Sequence, residues 1–107
     1  MTGVQTCALP ILLAFNLGAA EDRYADIAVA AGVTRAGGTS ALAGAALEQV
    51  DALSRACGVP MRMSDHGVPA DALDRMTDGA MTVTRLLERN VREVTWDDAR
   101  RIYDAAF

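Results

Sequence analysis

The one histidine of the chain, His66, stands in SDHGVP, where a histidine followed by glycine in a loop could serve as a metal ligand or a base. Asp65 stands beside it. Transition metals need three or four donors converging on one point, and one imidazole next to one carboxylate does not supply them. The expectation for His66 is a loop histidine bonded to backbone or water. Cys7 and Cys57 stand apart, with no C-x-x-C and no histidine nearby. Two such cysteines point to reduced thiols in a cytoplasmic protein rather than to a disulfide framework or a zinc site.

Two charged series have helical spacing. Asp71, Asp74 and Asp78 share one helical face with Arg75 alongside, which reads as solvated surface rather than as paired catalytic carboxylates. Arg85, Arg89 and Arg92 fall at i, i+4, i+7 and could grip an anion, but Glu88 and Glu93 interleave with them, so helix-surface pairing is expected. The chain contains no G-x-G-x-x-G, no phosphate loop and no G-x-S-x-G. The net charge of −4 argues against nucleic acid as a main partner, since phosphate neutralisation needs a basic face. All ten basic residues are arginine and 21 residues are alanine, a bias that fits a GC-rich coding sequence.

The elements that would carry these residues read as helices. With 107 residues, 51% hydrophobic, the chain suffices for one small domain with a thin core. Tyr24, Ile27, Ala28 and Ala31 form one stripe, ended by Gly32. RAGGTS (35–40) is a loop whose Thr39 or Ser40 can cap the next helix. There Leu47, Val50, Leu53 and Cys57 form a second stripe, stopped by Gly58 with Pro60 behind it. GVPMRMSDHGVP has the prolines and glycines of an irregular connector. Leu73, Met76, Ala80, Val83 and Leu87 make a third stripe. TWDDARRIYDAAF opens with a Thr95–Asp98 capping box and buries Trp96, Ala99, Ile102, Tyr103 and Ala106. Met61, Met63, Met76 and Met81 are expected to fill the core. No stretch alternates as a strand would, so the fold class is all-α.

The opening, MTGVQTCALPILLAFN, is apolar without a positive n-region: the first positive side chain is Arg23. It is therefore not read as an export signal, and Pro10 and Asn16 break it well short of a membrane span. TGVQTCALPI resembles the in-frame translation of a common short-read sequencing adapter. Residues 1 to about 11 are accordingly expected to be foreign, with 12–107 forming a gene fragment.

The order of four motifs takes the reading further. LPILLAFN, RYADIAVAAGV, CGVPMRMSDHGV and the closing AMTVTRLLERNVREVTWDDARRIYDAAF follow one another over residues 12–107 (LPILLAFN starting slightly earlier). Together they resemble the C-terminal part of the iron-containing alcohol dehydrogenase family, with its L-P-x-V-x-x-F-N, E-R-x-A-x-I-A-x-A-x-G, G-I-P-x-x-L-x-x-x-G-V and N-P-R-E-x-T patterns. Val91 departs from that pattern by replacing the proline of N-P-R-E, so the turn loses its fixed φ. The resemblance implies an NAD(P)-dependent oxidoreductase that uses Fe²⁺ or a similar cation on small alcohols or aldehydes. Its one Asp and three His ligands would lie before residue 9, and that role does not transfer to His66. No catalytic, cofactor-binding or metal-binding residue is thus expected here. Thr84 and Arg85 are expected nearest the substrate cleft. The chain alone is expected to be inactive and to self-associate through exposed apolar surface. The alternative is a complete small helical interaction or regulatory module, with only an accidental likeness to the family.

Overall fold

The computed structural model describes the backbone of residues 2–35 and 37–107 and the side chains from Leu9 onward, Ala36 excepted. The fold is all-α, with no strand among the described residues. Its helices are α1 (Thr2–Asn16), α2 (Glu21–Ala30), α3 (Thr39–Ala56), α4 (Leu73–Met81), the single turn α5 (Thr84–Leu87) and α6 (Trp96–Ala106). Short 3₁₀ turns cover Leu17–Ala19, Met63–His66 and Ala70–Ala72, so the connector after α3 is more regular than its prolines suggest.

Two small cores flank α1. Met63, Leu73 and Ala106 form one, joined by Ile11, Val68, Met76, Tyr103 and Phe107. Tyr24, Ala28, Ala43 and Ala46 form the other, joined by Leu13 and Leu17. Positions two apart on an α-helix point about 200° from each other, so Ile11 and Leu13 necessarily serve opposite sides. α1 is therefore the spine between the α2–α3 pair and the α4–α6 pair. Pro10 lies inside α1 and costs it one backbone hydrogen bond.

The stripes differ from their sequence reading. The buried face of α2 is Tyr24, Ala25 and Ala28, while Ile27 is 49% exposed. α3 buries Leu42, Ala43, Ala46 and Ser54, and its Leu53 is 67% exposed; Cys57 is also exposed. Alanine faces let the two helices meet closely, and Ile27 and Leu53 are left on the outside. Ser54 is accommodated because its hydroxyl donates to the Val50 carbonyl. Gly38, without a side-chain cap, precedes α3; Ser40 instead donates to the Glu21 carboxylate at 3.1 Å.

The third stripe is cut in two. Thr82 and Val83 close the end of α4 with short i→i−3 bonds to Gly79 and Ala80, and the Thr82 hydroxyl also donates to the Gly79 carbonyl. Three β-branched residues in a row, Thr82 to Thr84, make continuation costly. Met63 is fully buried and Met76 packs on the same core, while Met61 and Met81 are half-buried.

Candidate functional site: an apolar groove and its polar clasp

An apolar groove of about 300 Å³ lies between α1, α4, α5 and α6. Leu9 and Leu12 line it from α1, Ala80 from α4 and Leu86 and Leu87 from α5. Val94 and Asn90 come from the segment after α5, and Ala99, Ile102 and Tyr103 from α6. The capping box positions that last wall as expected: the Thr95 hydroxyl accepts from the Asp98 N–H, and the Thr95 N–H donates back to the Asp98 carboxylate at 3.1 Å. The Thr95 N–H, and then the Thr95 hydroxyl donating to the same carboxylate at 2.9 Å, hold the Asp98 carboxyl below its usual range. Trp96 is 38% exposed; its indole N–H donates to Asp78 at 2.8 Å.

Asn90 is the amide in this lining, and it is engaged. Its Nδ2 donates to Asn16 Oδ1 and its Oδ1 accepts from Asn16 Nδ2, each at 2.8 Å. Nδ2 also donates to the Arg92 carbonyl. Arg92 continues the clasp: its guanidinium donates to the Phe15 carbonyl at 2.9 Å and stacks 3.9 Å over the Phe15 ring. The last four carbonyls of α1 have no partner within their helix. Arg92 satisfies that of Phe15, and the Tyr24 hydroxyl satisfies that of Leu13 at 2.9 Å. Burial pushes the Tyr24 phenol up. A cation at the C-terminal end of α1 also suits its dipole. None of these partnerships was read from the sequence; the only signal was that Asn16, Asn90 and Arg92 fall inside the quoted motifs.

Thr84 and Arg85 are exposed on the first turn of α5, next to the groove in sequence but not among the residues that line it. The arginine series does not share a helix, because α5 ends at Leu87. Among the described residues, Glu88 and Glu93 form no ion pair with it. Asp74 and Asp78 are not merely solvated: Arg100 donates to Asp74 at 2.6 Å and also bonds Asp104, while Asp78 receives Trp96, which stitches α4 to α6.

His66 Nε2 lies 2.9 Å from the Pro60 carbonyl oxygen and so donates to it, as expected of a loop histidine. The HGV sequence has a local explanation. Gly67, at φ +80°, and Val68 return their N–H groups to Ser64 and Met63, a Schellman stop. The same Gly–Val stop ends α2 at Gly32–Val33 and α3 at Gly58–Val59.

The chain belongs to the Fe-containing alcohol dehydrogenase family: the model of that family's C-terminal part matches residues 3–107. Among solved structures the chain is similar to one described as 1,3-propanediol oxidoreductase, with a TM-score of 0.89 and 27% identity. That likeness covers 95% of this chain and 27% of the other, so this chain spans about a quarter of its length. No curated protein sequence matches it. The family match takes in residues 3–11, so the boundary drawn at residue 11 on the adapter likeness gains no support from it. Membership also removes the ground for an accidental likeness.

Among the described residues no three of His, Cys, Asp and Glu come together as a metal site, and the side chain of Cys7 lies outside the described residues. With His66 committed to Pro60, this donor set does not fit an iron ion. No helix among the described residues is long and apolar enough to cross a membrane.

Proposed function

We propose that this chain supplies closing helices to the C-terminal helical domain of an NAD(P)- and Fe²⁺-dependent alcohol dehydrogenase. The reaction would be hydride transfer between a small alcohol or aldehyde and the nicotinamide. The observation that carries this reading is the family match over residues 3–107, joined to the 0.89 TM-score with an oxidoreductase. In the proposal, residues 12–107 are the native partial domain. Thr84 and Arg85 stand closest to the substrate cleft; what supports this is that both are exposed and directly precede the groove-lining Leu86 in sequence. A cytoplasmic setting is retained from the isolated cysteines.

In the same reading these 107 residues alone hold neither iron nor dinucleotide and turn over no alcohol. Leu9 and Leu86, 41% and 59% exposed on the groove, offer apolar surface for self-association. The test is to incubate the purified chain anaerobically with Fe²⁺, dialyse it, and measure bound iron and NADH fluorescence. The expected result is iron well below one equivalent and no saturable change with NADH. An equivalent of retained iron, or saturable NADH binding, would overturn the inactive-alone part.

A further inference from the structure

We propose that residues 82–95 form a strap over the apolar groove that opens as a unit, with the Asn16–Asn90 amide pair as its latch. The two ends of the strap are fixed, at Thr82 by its bonds to Gly79 and at Thr95 by the capping box. Between them, no residue belongs to either core cluster. The backbone bonds of Leu86, Leu87, Glu88, Arg89 and Asn90 all return to carbonyls between Val83 and Leu87. The strap is thus a local coil of turns whose own ladder does not tie it to the rest of the molecule.

Its polar ties to the body run to the C-terminal end of α1: the two amide bonds of Asn90 to Asn16, and Arg92 on Phe15. Leu86, Leu87 and Val94 form the groove wall on the strap itself, so whatever frees Asn90 moves that wall. A segment with exposed turns and few buried contacts opens at lower free energy than the cores on either side. Asn90 is accordingly a positioning residue, setting the groove through the amide of Asn16.

Hydrogen exchange read by mass spectrometry separates this from a general loss of stability. In Asn90→Ala, amides of residues 86–90 should exchange at least tenfold faster, while amides of α2 and α3 that exchange by local opening keep their native rates and the rest gain no more than the loss of global stability read in urea accounts for. Asn16→Ala, which breaks the pair from the other side, should give the same local pattern. The double variant should add nothing further. Acceleration spread evenly through the chain, or none in residues 86–90 of either single variant, would overturn the proposal.

Discussion

Asn16 and Asn90, 74 positions apart, pair their side-chain amides reciprocally at 2.8 Å in both directions. Asn16 is 7% exposed, so removing its partner strands a donor and an acceptor away from water. Asn90→Ala should therefore cost about 1–3 kcal/mol in urea unfolding. Asn16→Ala should cost a similar amount, and the double variant less than their sum, because the second truncation removes the group the first left unpaired.

Val91 sits beside that pair, where the family pattern has proline. Its N–H donates to no backbone carbonyl among the described residues, and its side chain is 44% exposed. Val91→Pro should therefore stabilise the chain by about 0.4–1 kcal/mol, through the unfolded state. A rise in thermal midpoint checks this.

The Thr95 cap makes stability depend on pH. Asp98 is held below its ordinary range, first by the Thr95 backbone N–H and then by the Thr95 hydroxyl. A depressed carboxylate contributes stability above its unfolded value, about 3.9. That contribution is lost as pH falls through the folded value. Asp98→Asn should flatten the acid limb of the stability curve below about pH 4. Thr95→Ala should lower stability by about 1 kcal/mol at neutral pH.

Two apolar residues should behave oppositely. Met63→Ala leaves a hole in a fully buried site and should cost about 2–5 kcal/mol. Leu53→Ala changes a side chain that is 67% exposed and should stay within about 0.5 kcal/mol of the parent. Chemical denaturation of both variants tests this assignment of inside and outside.

That contrast shows where the sequence was legible. The Thr95–Asp98 box and the stops at Gly32 and Gly58 are local devices, set by residues within one turn, and all three were readable. The faces of α2 and α3 were readable only in part: Tyr24 and Ala28 are buried and Leu47 packs on the same core, but alanines form much of the contact while Ile27 and Leu53 look outward. A periodicity weighted towards large side chains shifts the stripe in such a pair. Gly67 as a stop was hidden because its prolines and glycines made GVPMRMSDHGVP read as an irregular connector, whereas Met63–His66 forms a 3₁₀ turn. The clasp and the groove join residues more than seventy positions apart, and no spacing rule reaches that far. The ordered motifs did carry the family, since they survive as strings even where their contacts cannot be inferred.

The central proposal is that these helices help wall the catalytic domain of a metal-dependent alcohol dehydrogenase. Its most direct test is a chimera in which residues 12–107 replace the matching quarter of the similar 1,3-propanediol oxidoreductase, assayed for Fe²⁺- and NAD-dependent oxidation of small alcohols. The account predicts measurable turnover, with KM altered by Thr84→Ala or Arg85→Ala. A folded, iron-loaded chimera without any turnover would contradict it.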